Sequence, residues 1–209
     1  MSPEPNGPHL ATYAGPMSLS GSQAKSALRD QLVTARARRP LLEVGEASRS
    51  IAAHLLAHPE VRRAATVAAY VSIGTEPGTG PLIDQLAAMG RRVILPVVLP
   101  DLDLDWAVYD GQGGLARARR GLLEPTGERL GVDAVATADV VLTPGLAVDR
   151  TGMRLGWGRG YFDKTLGSMG KCPPVYAVVF DSEFVERVPR EVHDQAVNGI
   201  VTPTRIIAF

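Results

Sequence analysis

Three glycines within five residues, Gly156, Gly158 and Gly160, constrain this chain more than any other feature of its sequence. Glycine lets main-chain N–H groups converge and lets a ligand approach the backbone more closely than a side chain would permit. The run lies between two readable elements. Upstream, residues 139–142 (DVVL) form a short apolar run bounded by turn residues, the pattern of a buried strand. Downstream, a helical pattern begins at Tyr161 and continues to Leu166. A helix starting there turns the positive end of its dipole towards the glycines. Arg154 and Arg159 add cationic charge. Asp163, one turn into the helix, offers oxygen ligands of the kind a divalent metal takes. Together these residues suit a nucleotide polyphosphate with its metal.

Simpler readings account for less. A loop that only turns the chain needs the glycines, but not two arginines, a tyrosine and an aspartate beside them. A Walker A loop is excluded because no Gly-Lys-Ser/Thr closes the run. A dinucleotide fingerprint fits poorly, since the third glycine comes one residue too early and residues 147–154 separate the strand from the glycines. One feature favours that reading: Asp181 ends the next strand, near where a ribose-binding acid would stand.

The chain has 209 residues, enough for one domain with a sizeable core. Residues 22–38 read as a helix with Ala24, Leu28, Leu32 and Ala35 inward, and Lys25 and Arg29 share one of its faces. A second helix spans 41–57, with Ile51, Leu55 and Leu56 inward and His54 and His58 at the surface. Residues 66–71 form a strand that runs into a Gly- and Pro-containing loop, 72–79, whose one acid is Glu76. Ligands bind at such strand ends in open α/β sheets, although an acid there also suits the start of the next helix. That helix, 81–89, turns Leu82, Ile83, Leu86 and Met89 inward and stops at Gly90. The strand at 92–98 completes a parallel crossover. Residues 102–109 alternate like a more exposed strand, with Trp106 half-buried. The Gly- and Arg-rich segment 111–130 is long enough to be a lid. Residues 175–180 are a further buried strand. Strands alternating with helices give an α/β fold with a mainly parallel sheet covered on both faces.

Composition narrows the function classes. Lys plus Arg and Asp plus Glu both number 22, so no global field favours nucleic acid or an anionic membrane. Anionic ligands must be met locally. The one cysteine, Cys172, reads as an incidental loop thiol; it permits no intrachain disulfide and fits a reducing, cytoplasmic setting. One Cys and four scattered His supply no zinc pattern. No apolar run approaches the ~20 residues of a membrane span. Residues 1–18 are rich in Pro and lack both Lys and Arg, which reads as a flexible tail and not a signal or transit peptide. We expect the part before Met17 to be a dispensable extension.

The central segment, TPGLAVDRTGMRLGWGRGYFDK (143–164), closely resembles the signature of the 5-formyltetrahydrofolate cyclo-ligase (5,10-methenyltetrahydrofolate synthetase) family. That signature runs PGLAFD-x-x-G-x-RLG-x-G-x-GYYD; here Val148 replaces the Phe and Phe162 the second Tyr. KSALR (25–29), the spacing from Tyr70 to Glu76, GLLEP (121–125) and VPREVHDQAVNGIVT (188–202) resemble further family segments, with Asn198 in place of an Asp.

The resemblance implies a three-layer α/β/α Rossmann-like sandwich over residues 19–209. It implies an enzyme that uses ATP and magnesium to cyclise 5-formyltetrahydrofolate to 5,10-methenyltetrahydrofolate, and we expect a monomer. Carried over residue by residue, it implies ATP contacts from Lys25, Arg29, Arg154, Gly156, Gly158, Arg159, Gly160, Tyr161, Phe162 and Asp163. It implies folate contacts from Glu76 and Tyr161, catalytic roles for Tyr161 and Arg159, and magnesium near Asp163 and Asp194. Arg117, Arg119 and Arg120 stand open between an acidic substrate tail and plain solvation. The competing reading is a non-catalytic folate- or nucleotide-binding protein of the same fold; loss of Tyr161 or Asp163 would favour it, and both are present.

Overall fold

The structure, a computed structural model, describes residues 21–170 and 173–209. The expectations for the tail and for Cys172 lie outside the described residues. The chain opens with helices α1 (Gly21–Ala37), α2 (Leu41–Ala57) and α3 (Pro59–Arg63), then strand β1 (Thr66–Ala68), helix α4 (Gly80–Ala88) and strands β2 (Arg92–Val98) and β3 (Leu104–Val108). Strands β4 (Leu115–Arg117) and β5 (Leu123–Pro125) form a hairpin. Strands β6 (Val140–Pro144), β7 (Ala147–Asp149) and β8 (Arg154–Leu155) precede helix α5 (Tyr161–Ser168). Strands β9 (Val175–Val178), β10 (Phe184–Val185), β11 (Gly199–Val201) and β12 (Ile206–Ala208) close the chain.

Seven strands form the main sheet in the order β12-β11-β9-β6-β1-β2-β3. The five central strands are parallel, and each edge strand is antiparallel to its neighbour. Alternation along the strands sorts the core into two layers. Val67, Val93, Leu95, Val140, Leu142 and Val178 face α2 and α4. Ala68, Ile94, Val141, Val175, Ala177 and Ile200 face Leu166 of α5, Trp106 and Val135. Helices therefore lie on both faces of a mostly parallel sheet.

A second sheet, β10-β7-β8, carries a satellite core in which Leu28 of α1 packs on Leu146, Ala147, Met153 and Leu155. The 147–154 insert supplies its β7–β8 hairpin, and β10 joins it from residues 184–185. Asp149 Oδ1 accepts from the Thr151 and Met153 amides at 2.8 and 3.2 Å, folding the insert into a tight hairpin. Gly152 is obligatory there: its φ is +78°, and a Cβ would lie 2.4 Å from the Val197 carbonyl oxygen.

Several local expectations need correction. On α1 the inward stripe runs through Leu28 and Arg36 while Ala35 is exposed, because Arg36 is buried as an ion pair. Met89 is 59% exposed, since it is the C-cap of α4 and the buried stripe ends at Leu86. Trp106, on the edge strand β3, is fully buried and not half-buried. His54 and His58 are half-buried: the first contacts the Pro203 carbonyl oxygen at 3.1 Å and the second packs edge-on against Tyr176. The regular part of β1 is only three residues long, although the Ala69 amide continues the pairing onto Ile94.

Candidate active site at the switch point of the sheet

β1 and β6 are neighbours whose chains continue in opposite directions, β1 through α4 to β2 and β6 through α5 to β9. Their C-terminal ends therefore flank the crevice in which ligands of open α/β folds bind. The loop carrying Glu76 leaves β1, and the glycine run follows β6 and its hairpin. The Glu76 loop is held rigidly. Thr79 donates its hydroxyl to the Tyr70 carbonyl at 2.6 Å, and the Ser72 and Thr79 amides bond each other's side-chain oxygens at 3.0 Å.

Two cavities open here. The first, about 370 Å³, is lined by Glu76, Arg120, Trp157, Arg159, Tyr161 and Phe162 among others. The second, about 260 Å³, is lined by Lys25, Arg29, Gly158, Glu191, His193 and Asp194 among others. Arg154, Gly156, Gly160 and Asp163 line both. All of the candidate site residues thus border one cavity or the other.

In the first cavity Glu76 is buried, 5% exposed. Its Oε2 accepts from the Ile73 amide at 2.8 Å and its Oε1 from Trp157 Nε1 at 2.7 Å. Burial raises its pKa above the ordinary glutamate value; the Ile73 amide, the charge of Arg36 and the Trp157 N–H pull it down without cancelling the rise. Tyr161 begins α5, and its hydroxyl accepts from Arg120 Nη1 at 3.1 Å across the cavity mouth. Arg120 does this from the left-handed region, φ +63°, in the turn linking β4 to β5. The 111–130 segment is therefore a short hairpin that leans one arginine on the site. Arg117 and Arg119 are exposed and line neither cavity.

In the second cavity Lys25 Nζ contacts Asp194 at 2.6 Å and Glu191 at 2.9 Å. Burial lowers its pKa, but the hydrogen bonds and charges of the two acids more than offset this, so the net shift is upward. Arg29 Nε donates to the Gly156 carbonyl at 3.1 Å. At Gly158, with φ +90°, a Cβ would stand 3.1 Å from the Arg29 guanidinium carbon. At Gly156 it would meet Arg154 Nη1 at 2.9 Å. The glycines therefore let two arginines lie flat against the loop. Asp163 is bound by Arg154 Nη2 at 2.9 Å, and Arg154 Nε is buried with no hydrogen-bond partner. Asp163 and Asp194 both border this cavity, each held by a cation. Among the described residues, the group of three side chains compact enough to share an ion is Glu191, His193 and Asp194.

Two residues that sequence reasoning left open also find their places. Asp181 accepts from the Thr202 hydroxyl at 2.6 Å and from Thr204, pinning the turn between β11 and β12, so it has a local structural task. Asn198 Oδ1 accepts from the Val175 amide at 2.9 Å, a role that needs no charge. Trp157 was missed as a site residue. Its one sequence signal was an aromatic side chain between two glycines of the loop.

Comparison with known proteins places the chain in a family and agrees with its fold. The model of the 5-formyltetrahydrofolate cyclo-ligase family matches residues 21–203. The 5-formyltetrahydrofolate cyclo-ligase of Mycolicibacterium smegmatis is 44% identical over 145 residues, covering 67% of this chain and 74% of that one. That of Escherichia coli strain K12 is 35% identical over 165 residues, covering 77% and 90%. The solved structure of Aquifex aeolicus 5,10-methenyltetrahydrofolate synthetase superposes with a TM-score of 0.76 at 27% identity, covering 88% of this chain and 92% of that one. With that fold, and with the motif residues gathered at the switch point of the sheet, the chain belongs to the 5-formyltetrahydrofolate cyclo-ligase family of enzymes.

Proposed function

We propose that this enzyme converts 5-formyltetrahydrofolate and ATP to 5,10-methenyltetrahydrofolate, ADP and phosphate, with the folate in the first cavity and the nucleotide phosphates in the second. The observation that carries this reading is the shared wall: Arg154, Gly156, Gly160 and Asp163 border both cavities, so two ligands would meet there. The residues fit a magnesium–nucleotide complex. Lys25, Arg29 and Arg154 suit phosphate oxygens, and Asp163 and Asp194 suit a hard cation that keeps several waters. These cations and acids neutralise one another; a phosphate chain and its metal would offer each a further partner. Bound magnesium would supply neutralisation of phosphate charge.

The chemistry explains the need for ATP. The formyl group is an amide whose oxygen must depart when the ring closes, and oxide is a poor leaving group where phosphate is a good one. The formyl oxygen attacks the γ-phosphorus and expels ADP. The anilino nitrogen then attacks the activated carbon, and phosphate leaves with that oxygen. Such a transfer needs positioning and charge neutralisation and no enzymic nucleophile. Glu76 accepts the amine and amide N–H groups of the pterin. Tyr161 and Arg159, both at the first cavity beside the shared wall, orient the reacting groups. A monomeric, cytoplasmic enzyme with a catalytic domain over 19–209 accords with this reading.

The direct test is ATP-dependent appearance of methenyl absorbance with purified protein; its absence while both ligands bind would favour the non-catalytic reading. Gly158→Ala should weaken MgATP about tenfold or more, because the new Cβ both strains a φ of +90° and pushes the Arg29 guanidinium away. Arg159→Ala should weaken it too, because Arg159 lines the first cavity beside the shared wall, where the γ-phosphate would meet the folate. Unchanged nucleotide affinity in both variants would refute the phosphate-loop assignment. Asp163→Asn and Asp194→Asn should each raise the magnesium concentration required for half-maximal turnover several-fold. A magnesium titration that coincides with wild type in both would remove these acids from the metal site.

A further inference from the structure

Behind the first cavity, several elements converge on one guanidinium. Arg36 of α1 is 1% exposed. Its Nε and Nη2 donate to the two carboxylate oxygens of Glu183 at 2.7 Å each, a bidentate pair. Nη2 also donates to the Gly145 carbonyl at 2.6 Å, just beyond β6. Glu183 is 2% exposed, and its Oε2 also accepts from the Phe180 amide at 2.8 Å, just beyond β9. The guanidinium carbon stands 5.7 Å from the Trp157 ring centre and the same distance from that of Phe180. Trp157 Nε1 in turn donates to Glu76. A continuous line of contacts thus runs Glu183–Arg36–Trp157–Glu76 and ends on the carboxylate at the cavity wall.

The arrangement invites a functional explanation. A buried ion pair costs desolvation and is poor evidence of stabilisation by itself. Trp157 sits between two glycines and is 39% exposed, so its own backbone does little to fix the ring. A planar cation against an aromatic face supplies that constraint, and a flexible ammonium does so less well.

We propose that Arg36, clamped by Glu183, is a positioning residue for the folate site: its guanidinium holds the Trp157 indole so that the N–H stays on the Glu76 carboxylate. This rests on the reading of Glu76 as the folate-binding acid. Pterin donors bind the ionised carboxylate, so folate affinity is lost as pH falls through the Glu76 pKa. The groups facing Glu76 set where that happens. Burial raises the pKa, and the Ile73 amide, Arg36 and the Trp157 N–H lower it, while the Glu183 charge raises it. Tyr70, just beyond β1, also faces it; burial pushes this phenol well above its ordinary value, so it stays neutral. The Tyr70 hydroxyl and Arg36 Nη1 are buried with no hydrogen-bond partner. Weakening the Arg36–Trp157 arm therefore moves the acid limb of folate binding to higher pH.

Two variants test this. Arg36→Lys keeps a positive charge near Glu183 but loses the planar fork, and Trp157→Phe keeps an aromatic ring but deletes the N–H. The chain has two tryptophans and Trp106 is fully buried, so acrylamide-quenchable emission reports Trp157. In Arg36→Lys, quenching should rise about twofold and 5-formyltetrahydrofolate affinity should fall about tenfold, the worth of one charge-assisted hydrogen bond. MgATP affinity should change by less than about twofold. In both variants the acid limb should move to higher pH. A purely structural Arg36 would lower the melting temperature and leave quenching and the acid limb in place, which overturns the proposal. If Arg36→Lys does not fold, an unmoved acid limb in Trp157→Phe overturns it. Glu76→Gln separates the underlying reading: unchanged folate binding there refutes the folate assignment of Glu76, while the quenching result still decides whether Arg36 holds the indole.

Discussion

Arg154→Met is expected to lower turnover roughly a thousandfold, about 4 kcal/mol of transition-state stabilisation. Arg154 is 4% exposed on β8 and borders both cavities. Nη1 is fixed by the Pro144 carbonyl at 3.1 Å and Nη2 by Asp163 at 2.9 Å, while Nε has no partner. A charge already desolvated and aimed needs no reorganisation when negative charge builds on a transferring phosphoryl group, and such charges are worth far more than surface ones. The variant also removes the cation facing Asp163, so part of any loss is structural. Arg154→Met combined with Asp163→Asn separates the two effects: the double variant should recover melting temperature and none of the activity. Retention of a tenth of wild-type turnover by a folded Arg154→Met would remove this residue from the reaction.

The sequence exposes those parts of the molecule in which local pattern decides structure. The strand before the glycine run, the helix after it, and the β1–α4–β2 unit follow from apolar period and from breakers such as Gly90, and all are present. What eluded reading depends on contacts across long separations. Among the described residues Arg36 has one of the deepest side chains, yet apolar periodicity reads it as polar; its burial depends on Glu183, 147 residues away, and on the Gly145 carbonyl, 109 away. Trp157 meets Glu76 across 81 residues, and nothing in local spacing announces the pair. The side sheet was invisible for another reason: β7, β8 and β10 are two or three residues long, too short for alternation to register against a typical strand of about five or six. At the site, Lys25 shows both limits. Its neighbour Arg29 makes a solvated basic face plausible, and only the family motif singles it out, as an ATP contact; its burial against Asp194, 169 residues on, has no signal in the local sequence.

Substrate carrying heavy oxygen in its formyl group should deliver that label to inorganic phosphate almost completely, whereas a different route would deliver almost none. If the formyl oxygen attacks the γ-phosphorus, the carbon–oxygen bond breaks when phosphate departs, and the oxygen leaves bonded to phosphorus. The rival route phosphorylates an enzyme group and loses the formyl oxygen as water. Such a route needs a nucleophile at the junction of the cavities. The carboxylates lining the cavities are held: Asp163 by Arg154, Asp194 and Glu191 by Lys25, Glu124 by the Val98 amide, and Glu76 by Trp157 and the Ile73 amide. Tyr161 is a phenol that already accepts a hydrogen bond from Arg120. The shared wall of Arg154, Gly156, Gly160 and Asp163 instead favours direct approach of the carbonyl to the phosphorus with ADP opposite, the in-line geometry that phosphoryl transfer requires. Mass spectrometry of the phosphate and of the water after a single turnover distinguishes the routes, with unlabelled substrate in labelled water as the exchange control. Label recovered chiefly in water, with no exchange in the control, would overturn direct attack even though the overall reaction stood.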